Sequence, residues 1–356
     1  MLRYKEIKNM LLSDIAQLNP LEKLPTRKVL CKKYDTTRAT LDKAIKELEA
    51  EGVVYCKGGS GTYVAVPEGY DKSMPSNWGV IVPDITEEIY AGLVRGVEDV
   101  AQQYGANLIL CNFDHDAAKQ EQYIERLILT GADGVIIVPV VREDNRDNAR
   151  MYNALIDANK PVVLCNMAVE GVNLPVVMSS GFYGGYIATK HLIERGYRKI
   201  AFITRYKYRT SEERCQGYIS ALLEAGIEIN RSLMVVDKTK GDKRPAGYDS
   251  MMELLKTGEV DAVFCFNDSL IPGVYQAIND AGLKVSDDIG IIGYDNSTLC
   301  NKMTPQVTSV SYRNLEIGRM AAELLHKQIE GHLSVDFPYY LFQPEVVERN
   351  SSLGLK

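Results

Sequence analysis

Thirty-nine residues near the start of the chain, Leu24 to Thr62, constrain its fold more than any other stretch. Leu24-Pro25-Thr26-Arg27-Lys28 opens one short amphipathic segment and Thr37-Arg38-Ala39-Thr40-Leu41 opens another, which runs on through Leu48-Glu49-Ala50-Glu51 to Gly52. Gly59-Ser60-Gly61-Thr62-Tyr63-Val64 follows. This order predicts a helix, a tight turn, a second helix stopped by glycine, and a hairpin with a glycine-rich tip. A helix pair followed by such a wing sets the start of its second helix against the major groove of DNA.

Upstream, residues 3–17 place Ile7, Met10, Leu11, Ile15 and Leu18 at three- and four-residue spacing, which predicts an amphipathic helix. Thr26 is the expected cap of the next helix, with Val29, Leu30 and Tyr34 as its apolar stripe. Thr37 is expected to cap the third, whose Leu41, Ala44, Ile45 and Leu48 face inward. Residues 53–56 and 62–66 alternate as strands around the tip. Charge suits a polyanion partner for this part alone: residues 1–66 carry 12 Lys and Arg against 8 Asp and Glu, the remainder 29 against 39.

A chain of 356 residues exceeds one typical core, so two or three domains are expected. No uncharged apolar run approaches the roughly 18 residues that a spanning helix needs. The first residues, with Lys5, Glu6 and Lys8, lack the apolar stretch of a signal peptide, so a cytoplasmic protein without a membrane partner is expected. The seven cysteines are scattered, with no CxxC pair and no metal-ligand spacing to the four histidines. Reduced thiols, no metal and no cofactor are the expectation.

Residues 1–66 thus read as a DNA-binding domain and 67–77, with Pro67, Gly69 and Pro75, as a linker. From residue 78 to 356, short uniformly apolar runs alternate with amphipathic helices: strands near 79–83, 107–110, 134–138 and 161–164, then 199–203, 233–236, 262–266 and 289–293. Such runs mean parallel sheets covered on both faces, and two series mean two α/β subdomains with a cleft between them. Ligands in these folds sit at the carboxyl ends of strands. The polar residues there are Asp84 and Tyr90, Arg142, Glu143 and Asp144, Arg214 in the loop or first turn after Thr204, Asn267 and Asp268, and Asp295. Carboxylates, an arginine, an amide and an aromatic face suit a ligand rich in hydroxyls.

The stretch from Tyr4 to Val66 resembles the winged helix-turn-helix domain of GntR-family regulators, matching Leu24-Pro25-Thr26, Thr37-Arg38-Ala39-Thr40-Leu41, Glu49-Ala50-Glu51-Gly52 and Gly59-Ser60-Gly61-Thr62. The family's usual Glu-Arg pair is Arg27-Lys28 here, and the usual second arginine of the recognition helix is Asp42. The resemblance implies DNA contacts from Lys28, Thr37, Arg38, Thr40, Lys43, Lys57, Gly59 and Gly61. An aspartate at 42 cannot hold a phosphate but could accept from cytosine N4 or orient Arg38.

Residues 78–347 resemble the LacI/GalR-type effector domain, which is similar to periplasmic sugar-binding proteins. The landmarks are Gly79-Val80-Ile81-Val82-Pro83, Gly131-Ala132-Asp133-Gly134-Val135-Ile136, Arg214-Cys215-Gln216-Gly217-Tyr218, Phe264-Cys265-Phe266-Asn267-Asp268 and Ile291-Ile292-Gly293-Tyr294-Asp295. It implies effector contacts from Tyr90, Arg214, Asn267, Asp268 and Asp295, with Glu143 added from its strand-end position. Gly241-Asp242-Lys243-Arg244 stands where many members carry an aromatic, which leaves room for an acidic or phosphorylated sugar. The fold implied is a periplasmic-binding-protein-like effector domain with an N-terminal winged helix-turn-helix. The function implied is a homodimeric repressor of carbohydrate-utilisation genes, released from double-stranded operator DNA by a small-molecule sugar effector. A sugar-processing enzyme using Asp268 and Asp295, or a binding protein without gene control, are the alternatives.

Overall fold

The computed structural model of the chain describes residues 3–15, 18, 22–57, 61–65, 75–141, 146–205, 209–238, 244–331 and 339–354. They fall into two compact units, Met1–Met74 and Pro75–Lys356. Most of the expected linker, 67–74, lies outside the described residues.

In the first unit, α1 (Arg3–Ile15), α2 (Arg27–Lys33) and α3 (Arg38–Ala50) enclose a core of Ile7, Leu11, Leu30, Leu41, Ile45 and Leu48. Met10 is exposed because it falls about 100° around α1 from the Ile7–Leu11–Ile15 stripe. Val29 is exposed for the same reason, while Leu30 and Tyr34 turn inward. Thr26 makes no side-chain cap, whereas the Thr37 hydroxyl accepts from Thr40 N at 3.3 Å. Gly52, at φ +71°, lets the chain reverse after α3 so that Val53 N reaches Leu48 O. Strands β1 (Val54–Lys57) and β2 (Gly61–Val64) then pair antiparallel with Val54 opposite Val64. Residues 22–24 add a third, very short run to this wing through Leu24 N to Thr62 O and Val64 N to Glu22 O.

The second unit opens with β3 (Asn77–Val82), α4 (Glu88–Gln103), β4 (Asn107–Asn112), α5 (Ala117–Leu129), β5 (Gly134–Ile137), α6 (Arg146–Asp157), β6 (Val162–Cys165) and β7 (Val176–Ser179). The chain then crosses to a second subdomain. There it forms α7 (Gly181–Glu194), β8 (Ile200–Arg205), α8 (Arg209–Glu224), β9 (Met234–Asp237), α9 (Tyr248–Thr257), β10 (Ala262–Cys265), α10 (Ile271–Asp280), β11 (Gly290–Asp295), α11 (Leu299–Lys302) and β12 (Thr308–Ser311). It crosses back into α12 (Asn314–Ile329) and β13 (Tyr339–Phe342), and returns once more with β14 (Glu345–Val347). The sheets run β13-β7-β6-β5-β3-β4 and β14-β12-β11-β10-β8-β9, parallel except for the β12–β14 pair. The buried strands β5, β6, β7 and β10 carry no polar residue on either face except Ser179, as a sheet covered by helices on both sides requires.

Helix α12 seats on α4 at two glycines. A Cβ at Gly96 would stand 2.1 Å from Leu315 O, and one at Gly318 2.1 Å from Leu93 O, so only glycine permits this backbone approach. No helix among the described residues is long and apolar enough to cross a membrane.

Candidate DNA-reading surface and effector cleft

In the first unit the Thr37 cap starts α3 so that Arg38 and Ala39 leave its first turn exposed. The Arg38 side chain is 80% exposed. Thr40 is half-buried, its hydroxyl 2.9 Å from that of Thr37. Lys28 is exposed on α2. Lys43 is exposed too, but sits about 140° around α3 from Arg38, with its ammonium 4.2 Å from the centre of the Tyr4 ring on α1. The structure therefore places Lys43 on a different side of α3 from Arg38. The Lys57 side chain and Gly59 lie outside the described residues. Gly61 has φ +142°, and a Cβ there would meet Lys23 Cε at 2.8 Å, so Lys23 packs over the base of the wing.

Sequence patterning treats Arg27 and Asp42 as separate departures, yet they are one contact. Arg27 Nε donates to Asp42 Oδ1 at 2.8 Å, and its Nη1 donates to Thr62 Oγ1 at 2.8 Å. The other Asp42 oxygen lies 3.7 Å from Arg38 Nε. Fifteen residues separate Arg27 from Asp42, too far for any local spacing rule to pair them.

Between the two subdomains of the second unit lies a cavity of about 850 Å³. Arg214, Asn267, Asp268 and Asp295 line it from one side and Tyr90 from the other. Glu143 lies outside the described residues, as do Arg142 and Asp144. Asp84 accepts from Thr86 N and Oγ1 in a turn and does not line the cavity.

Arg214 stands in the second turn of α8, not in the loop before it, and is 3% exposed. Its guanidinium carbon lies 3.5 Å from the centre of the Tyr294 ring and 4.5 Å from that of Phe266, with Tyr312 at 5.9 Å. One terminal nitrogen donates to Phe266 O, but the buried Nε has no partner. Asp295 ends β11 with φ +104°, an unusual backbone for a residue other than glycine, and its Oδ1 makes no hydrogen bond but an ion pair with an Arg214 terminal nitrogen at 3.9 Å. Burial pushes its carboxyl up to about 8, Arg214 pulling the other way and Asp268 adding to the rise. The carboxyl therefore keeps its proton to a higher pH than an ordinary aspartate, and in that form it donates as well as accepts.

Asp268 is buried and differs from Asp295 in having its oxygens occupied. Oδ2 accepts from Ser297 N at 2.7 Å, Ser297 Oγ at 2.9 Å and Cys300 Sγ at 3.2 Å, while Oδ1 accepts from Ser309 Oγ at 2.8 Å. It organises the loop after β11. Asn267 Oδ1 accepts from Ser269 Oγ at 2.7 Å. Sequence patterning misses Tyr312, at the crossing from β12 to α12, and Arg205 and Arg209, which also line the cavity. It also misses Glu88, whose carboxylate takes Thr298 N at 2.7 Å and the Thr298 hydroxyl from the opposite subdomain. Those bonds hold the Glu88 carboxyl below its ordinary range. Glu88 follows Glu87 in an ordinary helix start, so nothing local marks it.

Comparison with known proteins places both units. Residues 3–64 match the model of the bacterial regulatory proteins of the gntR family, and residues 189–352 match the periplasmic binding protein-like domain. The chain is 28% identical over 355 residues, 98% of its length and 97% of the relative's, to the arabinose metabolism transcriptional repressor of Geobacillus stearothermophilus. It is 31% identical over 285 residues, 78% of this chain and 81% of the relative, to the HTH-type transcriptional repressor PurR of Glaesserella parasuis serovar 5 (strain SH0165). Among solved structures, a LacI family transcriptional regulator from Enterococcus faecium with bound ribose superposes with a TM-score of 0.67 at 29% identity, covering 79% of this chain and all of that one.

Proposed function

We propose that this chain, which belongs to the HTH-type transcriptional regulators built on a periplasmic-binding-protein-like domain, represses carbohydrate-utilisation genes and leaves its operator when a sugar fills the cleft. Its curated relatives are regulators and not enzymes. The observation that carries the sugar reading is the Arg214–Asp295 pair in the cavity lining, 3.9 Å apart and short of hydrogen bonds, beside the rings of Phe266 and Tyr312. A buried polar group left without a partner costs roughly 1–3 kcal/mol, which a ligand's hydroxyls recover. Each sugar hydroxyl both donates and accepts, so one ring can satisfy the guanidinium and the carboxyl together while its C–H face lies on an aromatic ring. A repressor of arabinose metabolism and a ribose-bound regulator among the similar proteins support the same ligand class.

DNA recognition rests on Arg38, Thr37 and Thr40 at the start of α3, with Lys28 and the wing on the phosphates. Two heads reading a pseudo-palindrome require a symmetric dimer. Among the described residues β4 and β9 are sheet edges, and they support one, since Ile109 and Leu110 are exposed on β4 and the Met234–Val236 side chains are only half-buried on β9. A sugar carrying a carboxylate or phosphate is the second reading, favoured by Arg205 and Arg209 beside Arg214 in the cavity lining.

Thermal unfolding against pentoses, hexoses, disaccharides, uronates and sugar phosphates tests the cleft, because a ligand at a hundred times its Kd adds about 2.7 kcal/mol to the native state. Mobility shifts on the chain's own upstream DNA, with the stabilising sugar added, test release. A sugar that stabilises the chain without altering the shift would overturn the regulatory link, and stabilisation that survives in Arg214→Ala would overturn the site.

A further inference from the structure

One guanidinium joins three elements of the head. Arg27 begins α2, its Nε holds Asp42 on α3, its Nη1 holds the buried Thr62 on β2, and its Nη2 lies 3.9 Å from Cys56 Sγ on β1. A rigid fork of donors fixes the separation of recognition helix and wing, which a single ammonium on a flexible stem would not do. Arg27 engages only one Asp42 oxygen. The other faces Arg38 Nε at 3.7 Å, beyond hydrogen-bond length but close enough for each charge to be felt.

The result is a pairing at the start of α3: an exposed arginine and, one helical turn along, a carboxylate. Phosphates repel an isolated carboxylate. Here two arginines offset its charge, so it can approach a base edge while the surrounding surface stays attractive to DNA.

We propose that Arg38 and Asp42 read one guanine and one cytosine edge in each half-site, Arg38 donating to guanine O6 and N7 and Asp42 accepting from cytosine N4, with Arg27 as the positioning residue. Asp42 is thereby a specificity determinant, and Arg27 acts through it without touching a base. The inference rests on the head's role in reading DNA.

Selection from a random duplex library by the full-length chain, at one fixed and near-physiological salt concentration, tests it. The wild-type chain should enrich sites with a fixed guanine and a fixed cytosine. D42N keeps the shape but replaces the acceptor pair with an amide, whose natural partner is adenine. It should exchange cytosine for adenine at that position, or lose a preference of roughly 5- to 100-fold, with the other positions kept. R27A should blur the same position and add nothing there when combined with D42N. R27K, which keeps the charge and loses the fork, should not restore it, whereas a purely electrostatic role would be restored. Thermal unfolding of each variant confirms that the head is folded. D42N and R27A enriching the wild-type site with unchanged preferences overturns the assignment, and so does a loss spread evenly over all positions. No enrichment by the wild-type chain would contradict DNA reading by the head, and this assignment with it.

Discussion

Helices α7 and α8 touch backbone to backbone, and that contact sets where Arg214 stands. A Cβ at Gly217 would lie 2.0 Å from Phe182 O, 2.5 Å from Tyr186 N and 3.0 Å from Gly185 C, while one at Gly185 would lie 2.1 Å from Arg214 O. Carbon meets its neighbours at about 3.5 Å, so Gly217→Ala demands that the helices part by ~1.5 Å. All the obstructing atoms are backbone, and no rotamer change relieves the clash. Overpacking of this kind costs about 1–3 kcal/mol, and the upper end applies where nothing can swing aside. At ~2–4 °C per kcal/mol, the midpoint of unfolding should fall by roughly 6–12 °C. Arg214 lies one turn before Gly217, and its guanidinium is tied to Phe266 O and stacked on Tyr294. A shift of ~1.5 Å exceeds what a hydrogen bond tolerates, so effector affinity should fall at least about tenfold. Calorimetric unfolding of the full chain with and without the stabilising sugar reads both effects, and DNA binding without the sugar should persist. A wild-type midpoint would refute the tight crossing. A lowered midpoint with unchanged sugar affinity would refute the link from helix spacing to Arg214.

Arg38→Ala should weaken operator binding by about 1–3 kcal/mol in a titration at fixed salt and leave sugar-induced stabilisation unchanged. Arg214→Ala and Asp295→Ala should keep DNA binding and lose the sugar response, which a reporter assay would record as permanent repression. Burial raises the Asp295 carboxyl from 3.8 to about 8. The folded chain therefore holds a proton that the unfolded chain releases, and sugar-free stability from this group is complete below about pH 4 and drains away as pH climbs to about 8. Unfolding midpoints followed across that window should fall less steeply in Asp295→Asn. Thr37→Ala should cost the first unit about 1 kcal/mol through loss of the α3 cap, read as a lower midpoint for its transition alone.

Periodicity made the strands legible where burial on both faces leaves little but apolar residues, as at Val162–Cys165 and Ala262–Cys265. It made Thr37 legible as a cap, because the hydroxyl needs only a partner three residues on. What it could not reveal is where the chain changes subdomain. β7 looks like a brief apolar segment yet fills an interior place in the first sheet, between β13 and β6, and α12 returns to that sheet after β12 has completed most of the second. Both are set by which surfaces remain uncovered, a property of the assembled layers and not of any window of residues. The same holds within the cleft. Arg214 and Asp295 stand out by type and position, but nothing in the sequence separates Asp295, with an oxygen left open, from Asp268, whose oxygens hold a loop.

That difference ties Asp268 to the facing subdomain through the loop it holds. Its carboxylate fixes Ser297, the next residue is Thr298, and the Thr298 amide and hydroxyl are both taken by Glu88 across the cleft. Asp268, Ser297, Thr298 and Glu88 thus form one line from one wall of the cavity to the other. Tyr312 forms another, with its ring near Arg214 and its hydroxyl 3.5 Å from Asn166 O in the first subdomain. Hydrogen bonds to a charged group contribute about 1.5–3 kcal/mol each at most, and solvent exposure lowers that for Glu88. A sugar binding with a Kd near 10 μM supplies ~7 kcal/mol. In the sugar-released regulator proposed above, the Glu88 contact is strong enough to bias this arrangement of the two subdomains and too weak to dictate it alone. Its removal should move the sugar concentration at which the switch responds, whereas removal of Arg214 should abolish the response, because only contacts that differ between the two arrangements let a ligand choose between them.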